Sequence, residues 1–141
     1  IHMLEEKIDS FDLSSCHLDE IKSYLTNEEY YVMDGTLRNR ECLQEALKML
    51  NSSEVDHEKF GKLLLREHEI LRDVLDVSTP KIENMLLAAL DAGALGGKIN
   101  GSGGGGCMFA YVTGNENEVV EAIEGVGGKA YVVNQSHGVA N

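Results

Sequence analysis

The sequence predicts an α+β domain: a small antiparallel sheet with helices packed on one face, preceded by a helical region. Three observations point there. The first two thirds of the chain repeat apolar residues at helical spacing, and Leu95 to Val112 switches to strand composition around a run of glycines. A further helix and one more apolar segment follow. At 141 residues the chain has material for a single core that buries roughly two thirds of the unfolded surface.

Ile1-His2-Met3 reads as a cloning remnant, leaving 4–141 as one domain. Leu18, Ile21 and Leu25 follow Asp12-Leu13-Ser14-Ser15, which is turn and cap material. Asn27 to Leu50 reads as a helix with an interruption or kink near Asp34-Gly35, and Leu43, Ala46, Leu47 and Leu50 stripe its second half. Asn51-Ser52-Ser53 ends it. Asp56 to Leu75 is the strongest helix, with Phe60, Leu63, Leu64, His68, Leu71 and Leu75 near one face. A histidine inside such a stripe reads as a core residue hydrogen-bonded to a neighbour. His57 lies about 16 Å along the same axis, too far to share a metal with it.

Ser78-Thr79-Pro80 restarts the chain, Thr79 as N-cap and Pro80 at the first helical position, where its missing N–H is no loss. Ile82, Met85, Leu86, Ala89 and Leu90 carry the buried face down to Gly93. Strand, glycine loop and strand come next, then a helix from Glu116 to Glu124 with Val119, Val120 and Ile123 inward. Gly125 to Gly128 turns the chain into a last strand, Ala130-Tyr131-Val132-Val133, ahead of a polar tail. In its second half this order resembles a ferredoxin-like split β-α-β.

Composition sets limits on function. Hydrophobic residues make up 43% and charged residues 26%, in the range of soluble globular domains. Twelve basic against twenty-four acidic residues give a formal charge of −12, which argues against nucleic acid or an anionic membrane as partner. Cys16, Cys42 and Cys107 are an odd number without a C-x-x-C, which suits a reducing cytoplasm better than a disulfide framework or zinc site. No stretch approaches the roughly 18 apolar residues of a membrane span.

The candidate site is Gly101, Ser102, Gly103, Gly104, Gly105 and Gly106. Glycine reaches positive φ cheaply and lets backbone N–H groups converge on an anion, but in regular structure it costs roughly 0.5–1 kcal/mol relative to alanine. A hairpin needs only two to five loop residues. A Gly/Ser linker would sit between domains, whereas Cys107-Met108-Phe109-Ala110-Tyr111-Val112 continues at once as a buried strand. Gly101, Gly103 and Gly106 fit G-x-G-x-x-G, yet no helix opens at Cys107, which argues against a dinucleotide fold. The protein-kinase companions V-A-I-K, H-R-D and D-F-G are missing, and Gly97-Lys98 is followed by Ile99 where a Walker loop needs Ser or Thr.

Residues Gly93 to Cys107, GALGGKINGSGGGGC, resemble the third signature motif of the GHMP kinases. His68-Glu69-Ile70-Leu71-Arg72-Asp73, followed by Val77-Ser78-Thr79-Pro80-Lys81-Ile82-Glu83, is similar to the galactokinase branch of that superfamily, as are Arg38 to Leu50 and Phe60-Gly61. The likeness runs over residues 36–134 and is most specific over 66–112. It departs at Gly104 and Gly105, where galactokinases carry a bulky residue, and at Thr79, where cysteine is common. Those departures leave room for a kinase of a related sugar.

The resemblance implies the C-terminal domain of a cytoplasmic transferase of galactose metabolism that moves the γ-phosphate of ATP to a sugar hydroxyl. It implies further that ATP and Mg are held mainly by an N-terminal domain absent from this chain, which would also carry the catalytic aspartate. That missing domain, ATP and the sugar are then the expected partners, and the fragment is expected to be inactive alone and able to self-associate. The residues themselves nominate neither a catalytic base nor a metal ligand. The loop can supply N–H donors to developing charge, each worth about 3 kcal/mol in a dry site. Lys98 reads either as a local cation or as a solvated strand residue. Two other functions stay open: a free-standing phosphometabolite-binding or regulatory module, and an interaction domain whose loop only permits close strand packing.

Overall fold

The computed structural model describes residues 2–134. Ile1 and all but the first residue of the polar tail lie outside the described residues. The chain opens with two short helices, α1 (His2–Lys7) and α2 (Leu18–Ile21), the latter running into a 3₁₀ turn at Lys22–Tyr24. Together with the segment between them they pack Leu4, Cys16 and Ile21 against Met33 and Leu37 of the long helix α3 (Asn27–Leu50). Arg40 fastens this region to α3, its Nη1 donating to the carbonyls of Leu13 and Cys16 at 2.8 Å each.

Helix α3 starts where a reciprocal cap is available. The Glu29 amide donates to the Thr26 hydroxyl, and the Thr26 amide donates back to the Glu29 carboxylate at 2.8 Å. The interruption expected near Asp34-Gly35 does not occur, and the helix runs unbroken. A mid-helix glycine costs about 1 kcal/mol against alanine, but Gly35 is buried, and a Cβ there would lie 2.5 Å from Val74 Cγ1. The missing side chain lets α3 close onto the segment after helix α4 (His57–Asp73). Asp34 and Arg38 pair across one turn at 3.0 Å, which suits a continuous helix.

Asp56 caps α4 by accepting from the Lys59 amide at 2.9 Å. Cys42, Leu63 and Ile70 form the α3–α4 core, with Ala46 and Val74 against it. Thr79 then caps helix α5 (Pro80–Asp91), accepting from the Ile82 amide at 3.3 Å, with Pro80 at the helix start as expected.

Strands β1 (Gly96–Asn100) and β2 (Cys107–Tyr111) pair antiparallel, from Gly96 opposite Tyr111 to Asn100 opposite Cys107. Consecutive residues of β1 meet different helices. A Cβ on Gly96 would lie 2.0 Å from the Gly61 carbonyl oxygen of α4, whereas one on Gly97 would lie 2.8 Å from Leu86 Cδ1 of α5. Ile82 and Met85 of α5 pack on Ile99, while Lys98, one residue before Ile99, is salt-bridged to Glu67 of α4. Helix α6 (Glu116–Gly125) adds Val119 to a core shared with Ala89 and Ala94.

The last strand expected at Ala130 to Val133 is not formed. Tyr131 and Val133 are 70% and 84% exposed, and the sheet of the described residues has two strands. A β-rich composition becomes a strand only beside an edge with free backbone groups. At the outer side of β1 the Ile99 N–H is already taken by His68 of α4, and among the described residues β2 pairs with β1 alone. The three cysteines are free thiols, Cys16 and Cys42 buried and Cys107 exposed.

Candidate functional site

The strands end at the Asn100–Cys107 pair, and Gly101 to Gly106 bridge the gap at that end of the sheet. All five glycines of the loop have positive φ, from 73° at Gly104 to 118° at Gly105, a conformation a side chain resists. Gly101, Ser102, Gly104 and Gly106 are exposed, and Gly103 and Gly105 half-buried. A Cβ at Gly101, Gly104, Gly105 or Gly106 would meet open space, so crowding does not explain the glycines there. Gly103 differs: its Cβ would fall 2.4 Å from Val77 Cβ and 2.7 Å from the Val77 carbonyl oxygen.

One amide of the loop is tied down. Gly104 N–H donates to the Val77 carbonyl at 2.7 Å, and among the described residues no carbonyl accepts from the amides of Gly101, Ser102, Gly103, Gly105 or Gly106. The six residues sequence reasoning selected therefore stand together as an open, mostly unpaired set of N–H donors. Unpaired backbone N–H groups in a glycine-rich loop can receive a phosphate or another compact anion.

Sequence reasoning missed the support beneath the loop. Val77 belongs to the segment between α4 and α5, where its own amide donates to Leu71 at 3.1 Å. The next residue, Ser78, donates its hydroxyl to Glu83 Oε1 in a very short bond. His68 is 1% exposed and uses both ring nitrogens: Ile99 N–H donates to Nδ1 at 3.1 Å, and Nε2–H donates to Glu83 Oε1 at 2.9 Å. The expectation of a core histidine hydrogen-bonded to neighbours is met. Arg72 Nη1 approaches Glu83 Oε2 at 3.5 Å while forking onto Asp73 at 2.6 and 2.8 Å. The available signal was an acidic residue in the first turn of a Ser-Thr-Pro helix, following a helix with histidine in its apolar stripe.

The electrostatics follow from these contacts. Burial pushes the Glu83 carboxyl upward, but the Ser78 hydroxyl, His68 and Arg72 together outweigh it and hold the group below its ordinary range. Asp73 is likewise lowered, chiefly by its bonds to Arg72. Lys98 forms a very short salt bridge with Glu67 and is largely covered, so its ammonium is committed to a carboxylate beneath β1. His57 bonds the Tyr111 hydroxyl at 2.6 Å, at the Gly96 end of the sheet.

No three His, Cys, Asp or Glu side chains gather as a metal site among the described residues. No helix among them is long and apolar enough to cross a membrane. A cavity of about 380 Å³ lies elsewhere, lined by Leu4, Leu25, Val32 and Met33 together with Glu28 and Glu29, which disfavour an anion.

Comparison with known proteins agrees with this architecture. The family described as GHMP kinases C terminal matches residues 40–131. The chain is 40% identical over 101 residues to the mevalonate kinase of Pyrococcus abyssi, covering 69% of this chain and 30% of that protein. It is 49% identical over 71 residues to the mevalonate kinase of Thermococcus gammatolerans, covering 50% and 21%. The galactokinase of Fusobacterium nucleatum is 29% identical over 121 residues, covering 84% and 30%. The chain thus spans between 21% and 30% of the length of these curated relatives. With the family match extending over α4, α5, both strands, the glycine loop and α6, the chain belongs to the GHMP kinase C-terminal family.

Proposed function

We propose that this domain forms one wall of the active site of an ATP-dependent kinase that phosphorylates a hydroxyl of a small metabolite. The single observation that carries the reading is the open glycine loop, with one amide anchored on Val77 and the others directed to no carbonyl of the described residues. Gly101 to Gly106 are the groups that would meet phosphate oxygens, and ATP would supply the transferable phosphoryl group. Phosphoryl transfer also needs a metal ion and a residue that orients the nucleophile. Those parts are assigned to the remainder of a longer enzyme, in keeping with relatives of which this chain matches less than a third.

Mevalonate is the acceptor we place first and galactose second. Identities of 40% and 49% to mevalonate kinases exceed the 29% to a galactokinase, which moves the reading away from the galactose specificity the sequence suggested. ADP release by the enzyme carrying this domain, measured with MgATP and each acceptor in turn, tests both parts. Turnover of mevalonate well above that of galactose is the expected result. Absence of ADP release with either, under conditions where both kinds of relative are active, would sink the proposal. The 141-residue chain alone is expected to release none, and micromolar ATP binding by it would favour a free-standing module instead.

A further inference from the structure

The loop and the interior of the domain are joined by a set of hydrogen bonds that passes through one step of the chain, from Ser78 to Val77. Ile99 lies in β1 two residues before the loop begins, and its N–H donates to His68 Nδ1 at 3.1 Å. That donation places the ring hydrogen on Nε2, from which it bonds Glu83 Oε1 at 2.9 Å. The same oxygen accepts from Ser78, and Val77, adjoining Ser78, takes the Gly104 amide at 2.7 Å. Entry and middle of the loop are therefore referred to the same pair, buried His68 and half-buried Glu83.

An aliphatic residue would fill the place of His68 in the α4 stripe without needing two polar partners. A buried imidazole leaves costly unsatisfied groups if either bond fails, so packing alone is a poor reason for it. We propose that His68 and Glu83 are positioning residues for the glycine loop: through Ser78 they hold the Val77 carbonyl where it captures the Gly104 amide, which presents the other loop amides to a nucleotide phosphate. The phosphate clause rests on the proposed function; the positioning clause does not. Donors fixed before the ligand arrives need no reorganisation as charge develops, whereas five unanchored glycines would have a large conformational entropy to lose.

Hydrogen exchange of the Gly104 amide, followed by NMR in the ¹⁵N-labelled 141-residue chain, reads the positioning directly. Ser78→Ala and His68→Asn are expected to speed Gly104 exchange roughly tenfold while the α5 amides stay protected. His68→Gln carries an amide N–H out to where Nε2 was, and should preserve most of the protection. Unchanged Gly104 exchange in Ser78→Ala, with the fold intact, overturns the proposal. So does a His68→Gln chain no better protected than His68→Asn. If His68→Asn does not fold, Ser78→Ala decides alone, because it removes only a half-buried hydroxyl.

In the enzyme carrying this domain, the same Ser78→Ala change is expected to lower kcat at unchanged acceptor KM. A wild-type enzyme that phosphorylates neither mevalonate nor galactose would remove the function while leaving the exchange result to decide the positioning.

Discussion

The amide nitrogen of Gly104 lies 2.7 Å from the carbonyl oxygen of Val77, and this bond joins the middle of the glycine loop to the segment between α4 and α5. The neighbouring Gly103 presses on the same residue, so the two glycines should respond differently to alanine. Their φ values are 80° and 73°, where a Cβ costs about 1–2 kcal/mol. Gly103→Ala adds a clash 2.4 Å from Val77 Cβ, whereas Gly104→Ala projects into open space. Urea midpoints should therefore fall further for Gly103→Ala, and equal shifts would show that Val77 does not press on the loop.

Gly61→Ala separates packing from propensity. In an exposed helix, glycine to alanine stabilises by about 1 kcal/mol. Here the new Cβ would sit 2.2 Å from the Leu95 carbonyl oxygen, with backbone on both sides of the contact. The expected outcome is a loss of about 1–3 kcal/mol by denaturant unfolding, toward the upper end because rigid backbone gives way less than a side chain. A gain in stability would mean that α4 does not lie directly on β1.

Glu83 sets an acid limit. Its carboxyl is depressed below the ordinary value of 4.5 because Ser78, His68 and Arg72 together outweigh the upward push of burial. The unfolded chain then binds a proton at higher pH than the folded one. Its contribution is complete above pH 4.5 and lost as pH falls through the lower folded value. The stability gap between wild type and Glu83→Gln should be widest above about pH 5 and narrow on acidification. A gap that does not change with pH would show that Glu83 carries no such charge-dependent stabilisation.

Thr79→Ala should cost about 1 kcal/mol through loss of the cap on the Ile82 amide, and Thr79→Ser should restore most of it. Thermal melts of the three chains make the comparison. A silent Thr79→Ala would place the start of α5 under the control of Pro80 and the Ser78–Glu83 bond instead.

What the sequence made legible was local. The Thr79-Pro80 helix start and the two strands flanking the glycines follow from residues within one turn or one strand of each other, and the structure keeps them. Asp34-Gly35 misled because the cost of a mid-helix glycine is visible in the sequence, whereas its compensation by Val74, in a different segment, is not. Ala130 to Val133 misled for the related reason that strand composition says nothing about whether an edge is free. In the candidate site the donors were legible, because glycines announce themselves. Their support was not: His68 finds Glu83 across 15 residues and Ile99 across 31.

The contact between Gly61 and Gly96 bears on how the loop can respond to a ligand. With backbone against backbone, and no flexible side chains to lubricate a slide, α4 and β1 are interlocked like a key in its ward. On the proposed function, a phosphate would meet six residues mounted above the Asn100–Cys107 pair on a fixed post.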